Sequence, residues 1–322
     1  MNTTTAARTA PSRAATRRMD LKAALPVVSL LAVLMPMAII QPNALSYFGI
    51  VMLLNLGVPI VLATLSQLAV ITANELDLSI GSFVSLVACI GATLLVRTPW
   101  LGCLALAACV LVYALIGALI ESRRISSVVV TLGLSFIWNG LSVLLPSPGG
   151  TSPEWLSSLM SFKTPVVPAP LVWTALIALV AHLLLMRSPA GVALRGVGGN
   201  SGAMRRFGWS IIRAKALLFG CAGLFGVLSG LALLGLTTSA DANIALRYTL
   251  LSVAGVILGG GEFVGGRVSA LGAVLGAITL TLASSFLSFV QIPPEWQIGL
   301  QGLILIVVLS LRLVFRNRGG RQ

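Results

Sequence analysis

Ten apolar runs, most close to the length that crosses a bilayer, leave this chain few alternatives. A helix rises about 1.5 Å per residue, so about 20 apolar residues match a hydrocarbon core of roughly 30 Å. Runs of that order occupy 23–40, 47–72, 79–96, 100–120, 125–145, 171–186, 215–238, 248–259, 268–290 and 296–314. The eighth is short and ends in glycines, which predicts a tilted, broken or protein-shielded segment. Only 9% of the 322 residues are charged and 57% are hydrophobic. A soluble chain so composed would expose apolar patches well beyond the few hundred Å² that water tolerates. The predicted fold class is all-α, a polytopic membrane protein of about ten transmembrane helices.

Charge orients the spans. With the amino terminus inside, 18 of the 21 lysines and arginines fall in inner segments, and only Arg97, Lys163 and Arg247 fall outside. That bias is the positive-inside signature, so both termini are predicted to be cytoplasmic. A basic tail at 1–22 and a second tail at 315–322 then flank a membrane domain at 23–314. Gln41, Pro42 and Asn43 follow the first run without a small-residue cleavage pattern, so it reads as an uncleaved helix rather than a signal peptide. The formal net charge of +13 is scattered between apolar runs rather than gathered in a stripe, which argues against nucleic acid as a partner and for contact with membrane lipid. Cys89, Cys103, Cys109 and Cys221 lie within apolar stretches without histidine or acidic neighbours, and read as small packing residues.

No GxxxxGK[ST] loop is present, and the glycine cluster at 259–267 lacks the lysine that would complete one. A nucleotide that drove this chain would have to bind another subunit and act through an inner surface. The longest inner connection, 187–214, suits such a contact. Gly198-Gly199 stops one element, Asn200 can cap the next, and Met204, Phe207 and Ile211 recur at spacings of three and four beside Arg205 and Arg206. Such an amphipathic helix fits a groove on a soluble partner; lying on anionic lipid is the alternative.

Charges are nearly absent from the runs. Glu75 and Asp77, in the sequence Asn74-Glu75-Leu76-Asp77-Leu78-Ser79-Ile80-Gly81, stand where the second run gives way to the third. Asp77 can cap the following helix or take part in gating or coupling. A proton- or sodium-coupled carrier places carboxylates near the midplane, and the runs hold none there; an ion-coupled secondary transporter is the alternative reading. His182, alone in its run, reads as a packing residue. Candidates for a pathway taking a neutral polar solute are Asn55, Gln67, Asn74, Asp77, Trp138 and Asn139, each of which could instead join helices. Gly226 with Gly230, and Gly272 with Gly276, predict close helix packing. A membrane-embedded transferase would need clustered acidic or histidine residues at one interface, which the sequence lacks.

Several motifs, taken together and in order, resemble a known family. Asp77-Leu78-Ser79-Ile80-Gly81 is similar to the D-L-S-V-G signature of ribose-type ABC permeases. Val130-Thr131-Leu132-Gly133, Gly198-Gly199-Asn200, Val256-Ile257-Leu258-Gly259-Gly260, Gly265-Gly266-Arg267 and Gly272 resemble its later segments. Gly261-Glu262 stands where such permeases often carry small hydroxyl residues, and Asn74-Glu75 replaces a common glycine-containing pair. The resemblance implies an inner-membrane permease subunit for a monosaccharide-like solute, with no cofactor of its own and no covalent chemistry. It implies ATP and Mg on partner ATPase subunits, a second permease subunit, identical or not, and an extracytoplasmic solute-binding protein. By the same resemblance, Gly198, Gly199, Asn200, Met204, Arg205, Arg206, Phe207 and Ile211 would contact the ATPase, and Gly259, Gly260, Gly265 and Gly266 would serve gating or packing.

Overall fold

The computed structural model describes residues 13–145, 151–263 and 265–293 and isolated positions between 296 and 306, with side chains from Pro26 onward. The run at 296–314 and the tails at 1–22 and 315–322 lie largely or wholly outside the described residues. The helices are α1 (Arg13–Ile40), α2 (Tyr47–Leu54), α3 (Gly57–Thr72), α4 (Ile80–Arg97), α5 (Pro99–Arg123), α6 (Ser127–Leu144), α7 (Glu154–Met160), α8 (Ala169–Ala181), α9 (Pro189–Gly199), α10 (Ser201–Arg206), α11 (Ile211–Thr237), α12 (Tyr248–Leu258) and α13 (Ala270–Phe289). Among the described residues there is no strand.

Six of these are long and apolar enough to cross a bilayer: α4, α5, α6, α8 with its π-helical continuation to Arg187, α11 and α13. The run at 47–72 is a bent span, α2 and α3 meeting at 43°. Gly57 and Pro59 explain the bend, since a proline ring clashes with the carbonyl four residues earlier, here Asn55, where α2 ends. The runs at 23–40 and 248–259 are shorter apolar helices, Pro26–Ile40 and the 11-residue α12. By length and composition the described residues supply six or seven full spans; of the other three runs, 296–314 lies largely outside the described residues, and 23–40 and 248–259 are described as shorter helices, α12 stopping part way as hydropathy does not reveal.

In lipid the apolar surface of a helix gains little from meeting another helix, so association depends on close backbone packing and interhelical hydrogen bonds. The centre of the bundle uses both. All 16 residues of α3 are buried, matching its lack of a polar face. The Ser66 hydroxyl donates to the Ala222 carbonyl at 2.8 Å and that of Ser229 to Pro59 at 2.7 Å, lacing α3 to α11. The expected glycine contacts are present. A Cβ at Gly230 would lie 2.5 Å from Val87 on α4, one at Gly272 would lie 2.0 Å from the carbonyl oxygen of Gly259, just after α12, and one at Gly276 would lie 2.2 Å from that of Gly255 within it. On the outside of the bundle, α6 is only 22% buried and presents Val129, Phe136 and Val143. Of the cysteines, Cys89 and Cys109 are buried and Cys221 partly so, whereas Cys103 is exposed on α5.

Connections gather alternately at two ends. Segments 73–79, 124–126, 188–210 and 259–269 share the first end, where Asn74 reaches both Gly198 and Gly265. At the second, the Tyr47 hydroxyl donates to Thr164 and the Ser152 N–H to the Thr238 carbonyl. One connection does not stay there. Residues 238–247 run without regular helix from Thr238 to the start of α4, where the Ala245 N–H donates to Ser85 Oγ at 3.1 Å and Gly81 N–H to Thr249 Oγ1 at 3.0 Å. Arg247, placed in an outer loop by the charge pattern, is thus drawn in beside the other end of α4.

Candidate functional site

The first end of the bundle is organised by the seven residues after α3. That helix closes with Asn74 N–H donating to Ile71 and Glu75 N–H to Val70, the paired bonds of a helix stop that needs a left-handed residue. Asn74 supplies it, with φ 59°, because its short side chain tolerates that conformation. The turn aims its amide inward. Nδ2 donates to the Gly198 carbonyl at 2.7 Å, while Oδ1 accepts from the Gly265 N–H at 3.1 Å and the Gly266 N–H at 3.4 Å. One side chain therefore joins α3, α9 and the glycine loop. Glycine is required around it: a Cβ at Gly198 would stand 2.0 Å from the Thr72 carbonyl, and one at Gly266, φ +60°, would stand 2.4 Å from that of Arg195.

Beside this knot lies an ion cluster. Lys215 of α11 holds Glu75 directly and Glu121 of α5 at 2.9 Å, and Arg205 of α10 approaches Glu121 at 3.6 Å. The Lys215, Glu75 and Glu121 side chains retain 13 to 20% exposure. Arg205 at 64% is solvent-facing and adds little. Lys215 is the shared partner that keeps two partly buried carboxylates from facing each other unpaired, so α5, α11 and the 73–79 segment are bound as one unit.

Asp77 turns the other way, into the bundle. It is fully buried. Oδ1 accepts from the Ser79 N–H and hydroxyl, both at 2.7 Å, and Oδ2 from the Tyr113 hydroxyl at 2.9 Å. Gln67, with its amide oriented to satisfy both groups, donates to the Asp77 carbonyl at 3.0 Å and accepts from its N–H at 3.2 Å. Tyr113 lies eight residues along α5 from Glu121, about 12 Å deeper at the helical rise. The expectation that no carboxylate lies deep in the bundle thus needs correcting: the segment folds back and carries Asp77 in. Its oxygens are all engaged and closed to water, which suits a structural tie better than an ion site.

Of the capping predictions, Asn200 behaves as expected, its Oδ1 accepting from the Ala203 N–H at 2.9 Å. The helix it starts is shorter than the spacing suggested. Gly208, φ +84°, stops α10 with Trp209 N–H donating to Met204 and Gly208 N–H to Arg205. Met204 consequently packs inward with Val197 and Leu218, and Ile211 is buried at the start of α11. Phe207 alone of the expected stripe points out, 82% exposed, next to Arg205, Arg206 and Trp209. A shallow groove of about 340 Å³ runs beside it, between Phe207, Trp209, Arg213 and Leu217.

The six expected pathway residues separate. Gln67, Asn74 and Asp77 join the tie just described. Trp138 is buried against Phe83 and Tyr113, ring centroids 5.6 and 6.3 Å away. Asn55 caps the bend after α2. Asn139 stays partly exposed and donates to the Ala242 carbonyl at 3.2 Å and Asn243 Oδ1 at 3.1 Å. Of the glycines, Gly259 packs on the Gly272 backbone, Gly260 (φ +89°) ends α12, and Gly265 and Gly266 meet Asn74. Composition and spacing did not single out Lys215, Glu121 or Tyr113. The available signal was an ionisable residue near the end of two otherwise apolar runs, opposite Glu75.

Residues 49–309 match the family described as branched-chain amino acid transport system / permease component. The ribose import permease protein RbsC of Escherichia coli is 24% identical over 87% of this chain and 91% of its own length. The autoinducer 2 import system permease protein LsrC of an Enterobacter strain is 29% identical, over 91% and 86%. A probable ABC transporter permease protein, y4mJ, of Sinorhizobium fredii is 27% identical, over 87% and 85%. No solved structure matches significantly. With most of its length matched, and the partners of Asn74, namely Gly198, Gly265 and Gly266, lying in motifs that carry the likeness, the chain belongs to this family of transport permeases, in its ribose-type ABC group.

Proposed function

We propose that this chain is the permease subunit of an ATP-driven importer in a bacterial cytoplasmic membrane, passing a monosaccharide or similar small polar solute. In this reading both termini are cytoplasmic, and so is the end of the bundle that bears α10. ATPase subunits carrying ATP and Mg dock there, a second permease subunit completes the pathway, and an extracytoplasmic binding protein delivers solute at the other end. No covalent step is assigned to this chain.

The observation that carries the reading is the Asn74 tie with its neighbouring ion cluster. Movement imposed on the exposed α10 has no slack to absorb it, because α9, α11, α5, α3 and the glycine loop are joined within a few residues of that helix. A push from a partner there is felt at the inner ends of the spans together, as a two-state gate requires. Phe207, large, apolar and exposed beside two arginines, has the character of an interface anchor.

Replacing Phe207 with Ala should weaken association with the cognate ATPase by about 5- to 150-fold, the 1 to 3 kcal/mol typical of an anchor residue, and reduce uptake with it. Arg206→Ala should act in the same direction, and insertion into the membrane should be unchanged in both. Normal ATPase binding and uptake in both variants would refute the docking role. Uphill accumulation by the purified chain reconstituted alone would refute the importer reading altogether and favour an ion-coupled carrier.

A further inference from the structure

Arg247 stands just before the first turn of α12 with its side chain exposed, yet it is deep in the bundle. The 11 residues of α12 separate it from Gly259, which opens the loop held by Asn74, a distance of about 17 Å at the helical rise. The opposite measure agrees. Residues 245–249 contact Gly81 and Ser85, and the far end of α4, Arg97, lies twelve residues or about 18 Å beyond Ser85. Arg247 therefore sits about half way across a core of roughly 30 Å.

Among the described residues Arg247 forms no ion pair. The acidic side chain nearest in sequence, Asp241, accepts from the Asn243 N–H in its own turn. A guanidinium facing lipid at this depth costs about 3 kcal/mol even on permissive scales. Irregular backbone such as 238–247 is tolerated there only inside protein or against a water-filled space. Polar partners stand close by: Asn243 is exposed and Asn139 donates to it across from α6, although Leu246 and Leu250 beside Arg247 are exposed as well.

We propose that Arg247, Asn243 and Asn139 form a subsite in the wall of an aqueous solute path, selective for a small polar solute bearing an oxyanion, a carboxylate or a phosphate. The proposal rests on the permease reading above and narrows its substrate class. A planar guanidinium offers a fork of donors matched to either oxyanion, the two amides add neutral donors, and the start of α12 contributes positive dipole. An unpaired positive charge in the wall also disfavours cations, which a path for neutral sugars alone has no need to do.

The test uses the full chain in membranes, with the four native cysteines replaced by alanine or serine and Asn243→Cys introduced. Two membrane-impermeant thiosulfonates, one anionic and one cationic, are compared after normalisation to their rates with a free thiol. Both should label Asn243→Cys with the anion favoured, and Arg247→Gln should lower the anion-to-cation ratio about 3- to 10-fold while Arg247→Lys retains it. D-glucuronate or D-ribose 5-phosphate should slow labelling, whichever protects assigning carboxylate or phosphate. Absence of labelling overturns the aqueous path, an unchanged ratio in Arg247→Gln overturns charge selection, and failure of both solutes to protect overturns the subsite. Labelling requires neither ATP nor a partner chain, so failure of the docking role of α10 would leave it unchanged and the two readings are separable.

Discussion

Replacing Asn74 separates two contributions that its structure combines. The residue holds φ 59°, and its amide satisfies the carbonyl of buried Gly198 at 2.7 Å. Asn74→Gly keeps the left-handed turn at no steric cost but leaves that carbonyl unpaired, for about 1 to 3 kcal/mol. The Gly265 N–H is exposed and recovers a water, so it adds little. Asn74→Ala loses the same hydrogen bonds and forces a Cβ-bearing residue into the left-handed region, about 1 kcal/mol more. The expected order is native, then Gly, then Ala, with a total loss near 2 to 4 kcal/mol for Ala. Unfolding of the purified chain by SDS titration, followed by tryptophan fluorescence, measures both steps. An alanine variant no less stable than the glycine one, or a glycine variant equal to native, would refute this account of the turn.

Other substitutions probe the remaining contacts. Lys215→Met leaves Glu75 and Glu121 facing each other and should lower stability by about 3 kcal/mol, with Glu75→Gln recovering part of the loss in the double variant; simple additivity in SDS unfolding would contradict a shared cluster. Tyr113→Phe removes the only donor to Asp77 Oδ2 among the described residues and should cost about 1 to 3 kcal/mol in the same assay, whereas an unchanged midpoint would mean water reaches that oxygen. Gly272→Leu drives a side chain into the Gly259 carbonyl and should abolish monodisperse protein on size exclusion. Gly133→Ala, where a Cβ meets nothing within 4 Å, should be neutral or stabilising by up to about 1 kcal/mol, and a marked loss there would show that α6 is covered at that point.

Hydropathy located the long helices because a span announces itself by length and lack of charge. α4, α5, α6, α11 and α13 fall within a few residues of runs read from the sequence. The cap at Asn200 and the glycine contacts of α12 with α13 were legible for similar reasons, being local chemistry at fixed spacing. Depth was not legible. Thr238 to Arg247 reads as an outer loop from composition, since nothing in its residue types says that the chain descends along α4 before α12 begins. Met204, Phe207 and Ile211 also keep helical spacing while belonging to an inward face, a turn and the next helix, because Gly208 intervenes and periodicity ignores a positive φ. The Lys215 cluster unites the lysine with Glu121 and Glu75, 94 and 140 positions away along the chain, a distance no local pattern spans.

Both irregular segments answer one constraint. Backbone without helical hydrogen bonds cannot face hydrocarbon, so 73–79 and 238–247 must find partners in the protein, and they find them around the start of α4. Leu76 N–H takes the Ser127 hydroxyl and Leu78 N–H that of Thr131, both from α6. Gln67 takes both backbone groups of Asp77, and Ala245 N–H takes Ser85 of α4. The segments converge at Gly81, where a Cβ would lie 2.7 Å from the Ala245 and Leu246 carbonyls and 2.6 Å from Thr249 Oγ1. Glycine at that position is what lets the two pass each other. The same crossing fixes the start of α12 at mid-depth, so the exposed Arg247 and the buried Asp77 are consequences of one junction: the first segment turns its carboxylate into the protein and closes it, and the second leaves its guanidinium on an open face.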